Sequence, residues 1–355
     1  MGRTGSGKLR DILGLIKDKA SQSKAALLSN PSTLSFHLSL LRATTHDPFS
    51  PPLHKHLSAI LSFGHSSRAT ASSAIEVLMD RLQTTRDSCV ALKCLFIVHL
   101  VLVRGDFILQ DQLSIYPSTG GRNYLKLSNF RDNSSPLTWE LSSWVRWYAQ
   151  YIETLLSTSR VLGFFIASSS YSSEKDKQEE KITALMDKEL LVEVVSLVGL
   201  IEEFCKRPDP LHVEGNKLVE EIMGFVCEDH FSAINEVSVR VSEFRERLGG
   251  LSFGESVELV CALTRLENCK ERLYELSTRK RSVMDSFWCL IGEIKEGAGM
   301  EKDEGKLMIR VRSEKAGESA RYGERVLIRS RDSVRFSSGR FPFHVPESME
   351  SWQMQ

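Results

Sequence analysis

Residues 42–56 read Arg-Ala-Thr-Thr-His-Asp-Pro-Phe-Ser-Pro-Pro-Leu-His-Lys-His. Apolar periodicity runs up to this stretch through Leu34, Leu38 and Leu41 and resumes after it at Leu57, Ile60 and Leu61. Pro48, Pro51 and Pro52 forbid one continuous helix, because proline lacks the amide donor and clashes with the preceding turn. The stretch is therefore a helix–loop–helix corner. Arg42 stands on the outgoing helix, and His54, Lys55 and His56 stand on the first turn of the next. A first turn also offers unpaired amides and the positive end of the helix dipole, so cations placed there can seat a phosphate. On these residues alone a solvated polar corner is the commoner outcome.

Outward from the corner, helical period dominates and strand-like alternation is scarce. A first helix is expected over Lys8–Leu28, with Ile12, Leu13, Ile16 and Ala20 on one face. Up to Leu28 there are six basic residues (Arg3, Lys8, Arg10, Lys17, Lys19, Lys24) and two acidic ones (Asp11, Asp18), a local +4. Such a basic amphipathic start can lie on an anionic surface, although surface helices more commonly turn the apolar face inward. Helices are expected near Thr33–Thr45, Leu53–Phe63, Arg68–Gln83, Asp87–Arg104 and Ile108–Tyr116. Ser134-Ser135-Pro136 is a helix start with proline near the first turn. The helix it opens, to about Leu162, carries Trp139, Trp144, Trp147, Tyr148 and Tyr151, a spacing that reads as core. Ser168–Lys181 is serine- and charge-rich and reads as a linker or long loop. Long amphipathic helices are expected over Glu180–Cys205, Asn216–Arg247 and Glu255–Arg281, closed by Val283–Ile294, as an antiparallel bundle. From about Glu296 the pattern fails and disorder is expected. Between Gly305 and Arg340 ten Lys or Arg stand against four Asp or Glu, a local +6.

At 355 residues with a formal net charge of zero, the chain can hold one large or two medium domains, and attraction to charged partners must come from local clusters. The seven cysteines form no Cys-x-x-Cys pair and mostly sit in apolar helical contexts, which reads as reduced, buried thiols in a cytosolic protein. The most apolar run, Cys89–Val103, is 15 residues long and carries Lys93 and His99. A membrane span needs about 20 residues, so this is a buried core helix and any membrane contact is peripheral.

Residues 2–9, Gly-Arg-Thr-Gly-Ser-Gly-Lys-Leu, nearly fit a phosphate-binding P-loop but lack the magnesium-binding hydroxyl at Leu9 and a preceding strand. The same start matches a myristoylation pattern with Gly2 as acceptor. With the +4 helix, an acyl chain there would supply the two signals that stable anchoring needs. No catalytic elbow or zinc-protease motif occurs. His99 reads as a hydrogen-bonded core histidine, and Glu202-Glu203 and Glu220-Glu221 as solvated pairs. No cofactor and no enzymatic activity are expected. The near-neutral folded part, without a basic stripe and interleaved aromatics, argues against nucleic acid.

Four stretches carry a resemblance: Leu9–Ser21 (LRDILGLIKDKAS), Leu41–Leu57 (LRATTHDPFSPPLHKHL), Ala91–Gly105 (ALKCLFIVHLVLVRG) and Leu125–Ala149 (LKLSNFRDNSSPLTWELSSWVRWYA). The chain resembles ANTH-domain proteins, the clathrin-assembly adaptors related to the ENTH group, and their plant branch most. The resemblance covers residues 9–160, extends to about 295 and is absent from the tail. It implies an all-α, right-handed helical solenoid over 1–165, a linker over 166–180, a helical bundle over 181–295 and a tail over 296–355.

It also implies a cytoplasmic protein peripheral on membranes, at clathrin-coated pits and vesicles and the Golgi. Phosphoinositides, clathrin, adaptor complexes and vesicle SNAREs are the partners it implies. The family's lipid motif is a lysine, nine residues, a lysine, one residue, a lysine or arginine, then a histidine or tyrosine. Arg42 falls on the first lysine, Lys55 on the last basic position and His56 on the histidine. The loop is one residue longer, and Leu53 falls on the middle lysine. His54 partly substitutes, and Lys8 and Arg10 can compensate. Weaker or less selective headgroup binding than in a typical member is expected. The tail lacks the short coat-binding motifs of the family, and the one Asp-Pro-Phe, Asp47–Phe49, lies in the corner, where it shapes the turn.

Overall fold

The computed structural model describes residues 3–298, apart from 30–32, 66, 118–119, 121–122, 167–174, 210–212, 277–281 and 283. Of residues 3–11, 28 and 175–179 the helical backbone alone is described. Of the tail expected to be disordered from 296, residues 296–298 are helical with Ala298 buried, while 299–355 and Gly2 lie outside the described residues.

Among the described residues the fold is all-α. Helices run over Arg3–Leu28 (α1), Leu34–Ala43 (α2), His54–Leu61 (α3), Arg68–Thr84 (α4), Ser88–Arg104 (α5), Phe107–Ser114 (α6) and Pro136–Leu162 (α7). They continue with Lys175–Ala184 (α8), Asp187–Cys205 (α9), Lys217–Arg247 (α10), Phe253–Glu267 (α11), Lys270–Leu276 (α12) and 284–298 (α13). Packing follows chain order, as in a helical solenoid. α1 lies on α2, α2 on α3, α4 on α5 and α6, α5 on α7, α7 on α9, and α9 on both α10 and α11.

α5 is the centre of the first half, with every residue from Ser88 to Val103 buried. Its start is fixed twice. Asp87 accepts from the amides of Cys89 and Val90 at 2.9 and 3.1 Å, and Asp132 accepts from Ser88 N at 3.0 Å. α7 begins where the sequence says, with Pro136 in its first turn and Ser135 and Thr138 capping each other. It ends at Gly163, whose φ of 78° is the left-handed conformation that glycine adopts without strain.

Several expectations change in three dimensions. Trp144, Trp147, Tyr148 and Tyr151 are buried, but Trp139 is exposed on the first turns of α7. Cys89, Cys94 and Cys269 are buried, whereas Cys205 and Cys227 are half-buried and Cys261 and Cys289 exposed; all seven are free thiols. Glu203 is buried, with its carboxylate accepting from Lys206 Nζ at 2.9 Å.

The helix expected over Glu180–Cys205 is two helices. Met186 is extended between them, and Arg247 of α10 donates to the carbonyls of Thr183 and Leu185 and to Asp187 at 2.7–2.9 Å. A long-range guanidinium thus satisfies the carbonyls that the break leaves open. Part of the expected linker is helical, since α8 starts at Lys175. The first helix starts at Arg3, earlier than its apolar period indicates. Its small face, with Asp18 and Ala25 buried, packs inward, and Ile12, Leu13, Leu15 and Ile16 remain more than half exposed.

Candidate functional site

The corner is held from below, residue by residue. Thr44 caps α2 by donating its hydroxyl to Leu40 O at 2.7 Å. Arg81 of α4 clasps the same residue, with Nε on Thr44 Oγ1 at 2.5 Å and a terminal nitrogen on Thr44 O at 2.7 Å. Beneath the next residues lies Lys93 of α5, almost fully buried, whose ammonium donates to Thr45 O at 3.1 Å, Thr45 Oγ1 at 2.9 Å and Asp47 O at 2.8 Å. Burial pushes the Lys93 pKa down and the neighbouring Asp47 pulls it back up.

His46 reaches sideways to α1. Its amide donates to one oxygen of Asp18 at 3.2 Å, and Nδ1 lies 2.7 Å from the other. Gly14, one turn before Asp18, permits this approach, because a Cβ there would sit 3.2 Å from that of His46. Pro48 O accepts from Asn216 Nδ2 at 2.9 Å, and Asn216 also caps α10 by accepting from Leu218 N at 3.0 Å. Asp47 closes a turn on its own loop, with Oδ1 accepting from Phe49 N at 3.0 Å and Oδ2 accepting from the Ser50 hydroxyl. The Asp-Pro-Phe sequence thus shapes the turn. Four helices, α1, α4, α5 and α10, fix the loop through these bonds.

Above this support the corner faces water. Arg42, on the last turn of α2, is exposed, as are His54 and Lys55 on the first turn of α3, and His56 is half-buried. Among the described residues no carboxylate pairs with Arg42 or Lys55. His56 is held below the ordinary imidazole pKa by burial and then by the charges of Lys55 and Arg42, so the three groups share one positive surface. His54 is turned along its own helix, with Nδ1 3.3 Å from Ser58 Oγ. Leu53, the residue before α3, supplies no side-chain cap, and the first amides of a helix have no partner within it. The His56 amide donates to Leu53 O at 2.9 Å, so the arrangement offers two permanent cations, a titratable imidazole and the two earlier amides of the first turn, which is what a phosphate group takes.

Lys8 and Arg10 lie on the described backbone of α1, but their side chains lie outside the described residues, as does Gly2. Sequence reasoning missed the roles of Lys93, Arg81, Asp18 and Asn216. Lys93 alone left a signal, a lysine in the most apolar run of the chain. The others lie 28 or more residues from their partners with no pattern linking them.

The sequence model of the ANTH domain family matches residues 35–275, a span from the start of α2 to α12. The chain belongs to the ANTH domain family. This ANTH protein is 55% identical over 351 residues, 96% of each chain, to an Arabidopsis thaliana protein named "Putative clathrin assembly protein At4g40080". Two more from Arabidopsis thaliana carry the same description. At5g10410 is 36% identical over 84% of this chain and 88% of its own, and At5g65370 is 32% identical over 82% and 99%. The corner and its supports, Arg81, Lys93 and Asn216, all fall inside the matched ANTH region.

Proposed function

We propose that this ANTH protein is a peripheral membrane adaptor that binds phosphoinositide headgroups at the corner and helps clathrin coats assemble in endocytosis. The observation that carries this reading is the surface shared by Arg42, Lys55 and His56, which concentrates positive charge without an internal counter-charge on a loop tied to four helices. Arg42 supplies a planar fork for phosphate oxygens, Lys55 a point charge, and His56 a donor once an anion lies beside it. His54 flanks them, and Lys8 and Arg10 on α1 add to the attraction. The relatives' description as clathrin assembly proteins supports the coat role.

α1 supports the membrane reading independently. Its exposed Ile12, Leu13, Leu15 and Ile16 lie among exposed Lys17, Lys19 and Lys24, the composition of a helix that settles on an anionic interface. No described helix is long and apolar enough to cross a membrane. Each basic group near such a surface contributes about 1 kcal/mol, which suits reversible recruitment. For a SNARE or coat helix, α9 and α11 offer an apolar cleft of about 550 Å³ lined by Leu191, Val192, Val195, Val257 and Cys261. Coated pits and vesicles, with the Golgi, are the proposed places of action.

The test is sedimentation of the full chain with phosphatidylcholine vesicles, with and without phosphatidylinositol bisphosphate, at low and physiological salt. Selective, salt-sensitive binding that disappears in Arg42→Glu/Lys55→Glu is the expected result. Unchanged binding by that variant, still folded, would move the site away from the corner. One observation favours a second reading, a protein-binding solenoid with a weakened lipid site. Leu53 stands where the family motif has its middle lysine, and vesicle binding absent from the wild-type chain would establish that reading.

A further inference from the structure

Leu53 is more than a missing cation. It is 59% exposed, and Phe49, earlier in the same loop, is 57% exposed. Large apolar side chains are ordinarily withdrawn from water, since burying a leucine or phenylalanine is among the more favourable terms available to a fold. These two stay out although the loop around them is anything but loose. Lys93 grips Thr45 and Asp47, Asn216 grips Pro48, and the Asp47 carboxylate binds the amide of Phe49 itself. Pro51 and Pro52 restrict the backbone between them. The fold presents Phe49 and Leu53 as it presents Arg42 and Lys55, on the water-facing side of one braced corner.

Cations alone would suit a soluble phosphate. Cations interleaved with two held-out apolar side chains suit a boundary where phosphate and hydrocarbon meet. We propose that Phe49 and Leu53 insert into the acyl boundary of an anionic bilayer while Arg42 and Lys55 hold the headgroup phosphates. The proposal rests on the corner being the phosphoinositide site and adds a second, salt-resistant component to its membrane contact. In place of the motif's middle lysine, the chain then uses hydrophobic insertion. A protein partner reading Asp47-Pro48-Phe49 as a peptide is disfavoured, because both oxygens of Asp47 are already engaged by Phe49 N and Ser50 Oγ.

The experiment compares the wild-type full chain with Phe49→Ser/Leu53→Ser. The two probes are soluble inositol trisphosphate and vesicles of phosphatidylcholine with phosphatidylinositol bisphosphate, at low and high salt. Both side chains are exposed, so thermal melting of the serine pair should match wild type. The expected result is inositol trisphosphate binding within about twofold of wild type and vesicle binding reduced at least about tenfold, with the salt-resistant fraction gone. In a second variant, Phe49→Trp, fluorescence quenching by brominated lipids should exceed that of wild type.

Vesicle binding by the serine pair equal to wild type, with no added quenching in Phe49→Trp, would overturn insertion while leaving the headgroup site standing. The same unchanged vesicle binding with lost binding to adaptor complexes would overturn it in favour of a protein partner. A wild-type chain that binds neither probe would overturn the phosphoinositide reading itself.

Discussion

The corner at 42–56 and the polar cluster around Asp229 use the same chemistry to opposite ends. In the core, His99 of α5 lies 2.7 Å through Nε2 from Asp229 of α10 and 2.8 Å through Nδ1 from the Tyr148 hydroxyl of α7. The Tyr151 hydroxyl donates to the same Asp229 oxygen at 3.0 Å. None of these groups meets water, and the histidine answers the carboxylate inside the fold. At the corner, His56 stands beside Lys55 and Arg42, and its pKa is pushed down first by burial and then by their charges. A positive surface without an internal counter-charge is tolerable because water and salt screen it. Buried polar groups that find each other are architecture, and exposed like charges held together on a braced loop are an invitation to an anion.

The largest expected effect tests the architectural side. Asp229→Ala would leave His99 Nε2 and the Tyr151 hydroxyl unpartnered in the core and cost about 3–5 kcal/mol of stability, read as a lowered denaturation midpoint. Arg42→Ala should stay within about 0.5 kcal/mol of wild type. Comparable losses in the two variants would break the comparison.

Lys93→Met tests where the two regions join, since Lys93 belongs to the core helix but serves the corner. It should cost about 2–3 kcal/mol by orphaning the acceptors on Thr45 and Asp47. It should also weaken inositol phosphate binding at temperatures where the variant is still folded. A stability loss with unchanged binding would confine Lys93 to the core.

pH separates the regions by sign. His230, stacked on Phe204 with its ring centroid 4.2 Å away, is pushed down to about 3 by burial. Its neutral form is the folded one, and the unfolded chain takes up a proton near the ordinary value of 6.5. Stability is therefore lost as pH falls from about 6.5 toward 3, about 2 kcal/mol of it between pH 7 and 5. His230→Phe should flatten that slope. Over the same acid range inositol phosphate binding should tighten, because protonated His56 joins Arg42 and Lys55, and His56→Gln should remove the gain.

The smallest effect sharpens the corner itself. Leu53→Lys should raise vesicle binding at low salt by about 1 kcal/mol and reduce the fraction that survives high salt. A rise in both would make Leu53 a simple loss of charge.

Much of this was legible in the chain. The prolines at 48, 51 and 52 placed the corner, the all-apolar run placed α5, and Ser135-Pro136 placed the start of α7, because proline geometry, helical period and capping act within a few residues. The four resembling stretches pointed to the ANTH family, and the positions of Arg42, Lys55 and His56 on neighbouring helix ends followed from the loop between them.

Where signals came from far along the chain, the sequence was silent. The break at Met186 depends on Arg247 of α10, and Trp139 points to water while its neighbours at 144, 147, 148 and 151 are buried. Sequence by itself determined the all-helical class, the corner and the identity of its cations, since these depend on local backbone chemistry. The tertiary structure alone decided that Lys93, Arg81, Asp18 and Asn216 would brace that corner, and that Phe49 and Leu53 would stand out from it. Partnership and exposure are properties of what packs alongside a residue, and those neighbours lie dozens of positions away.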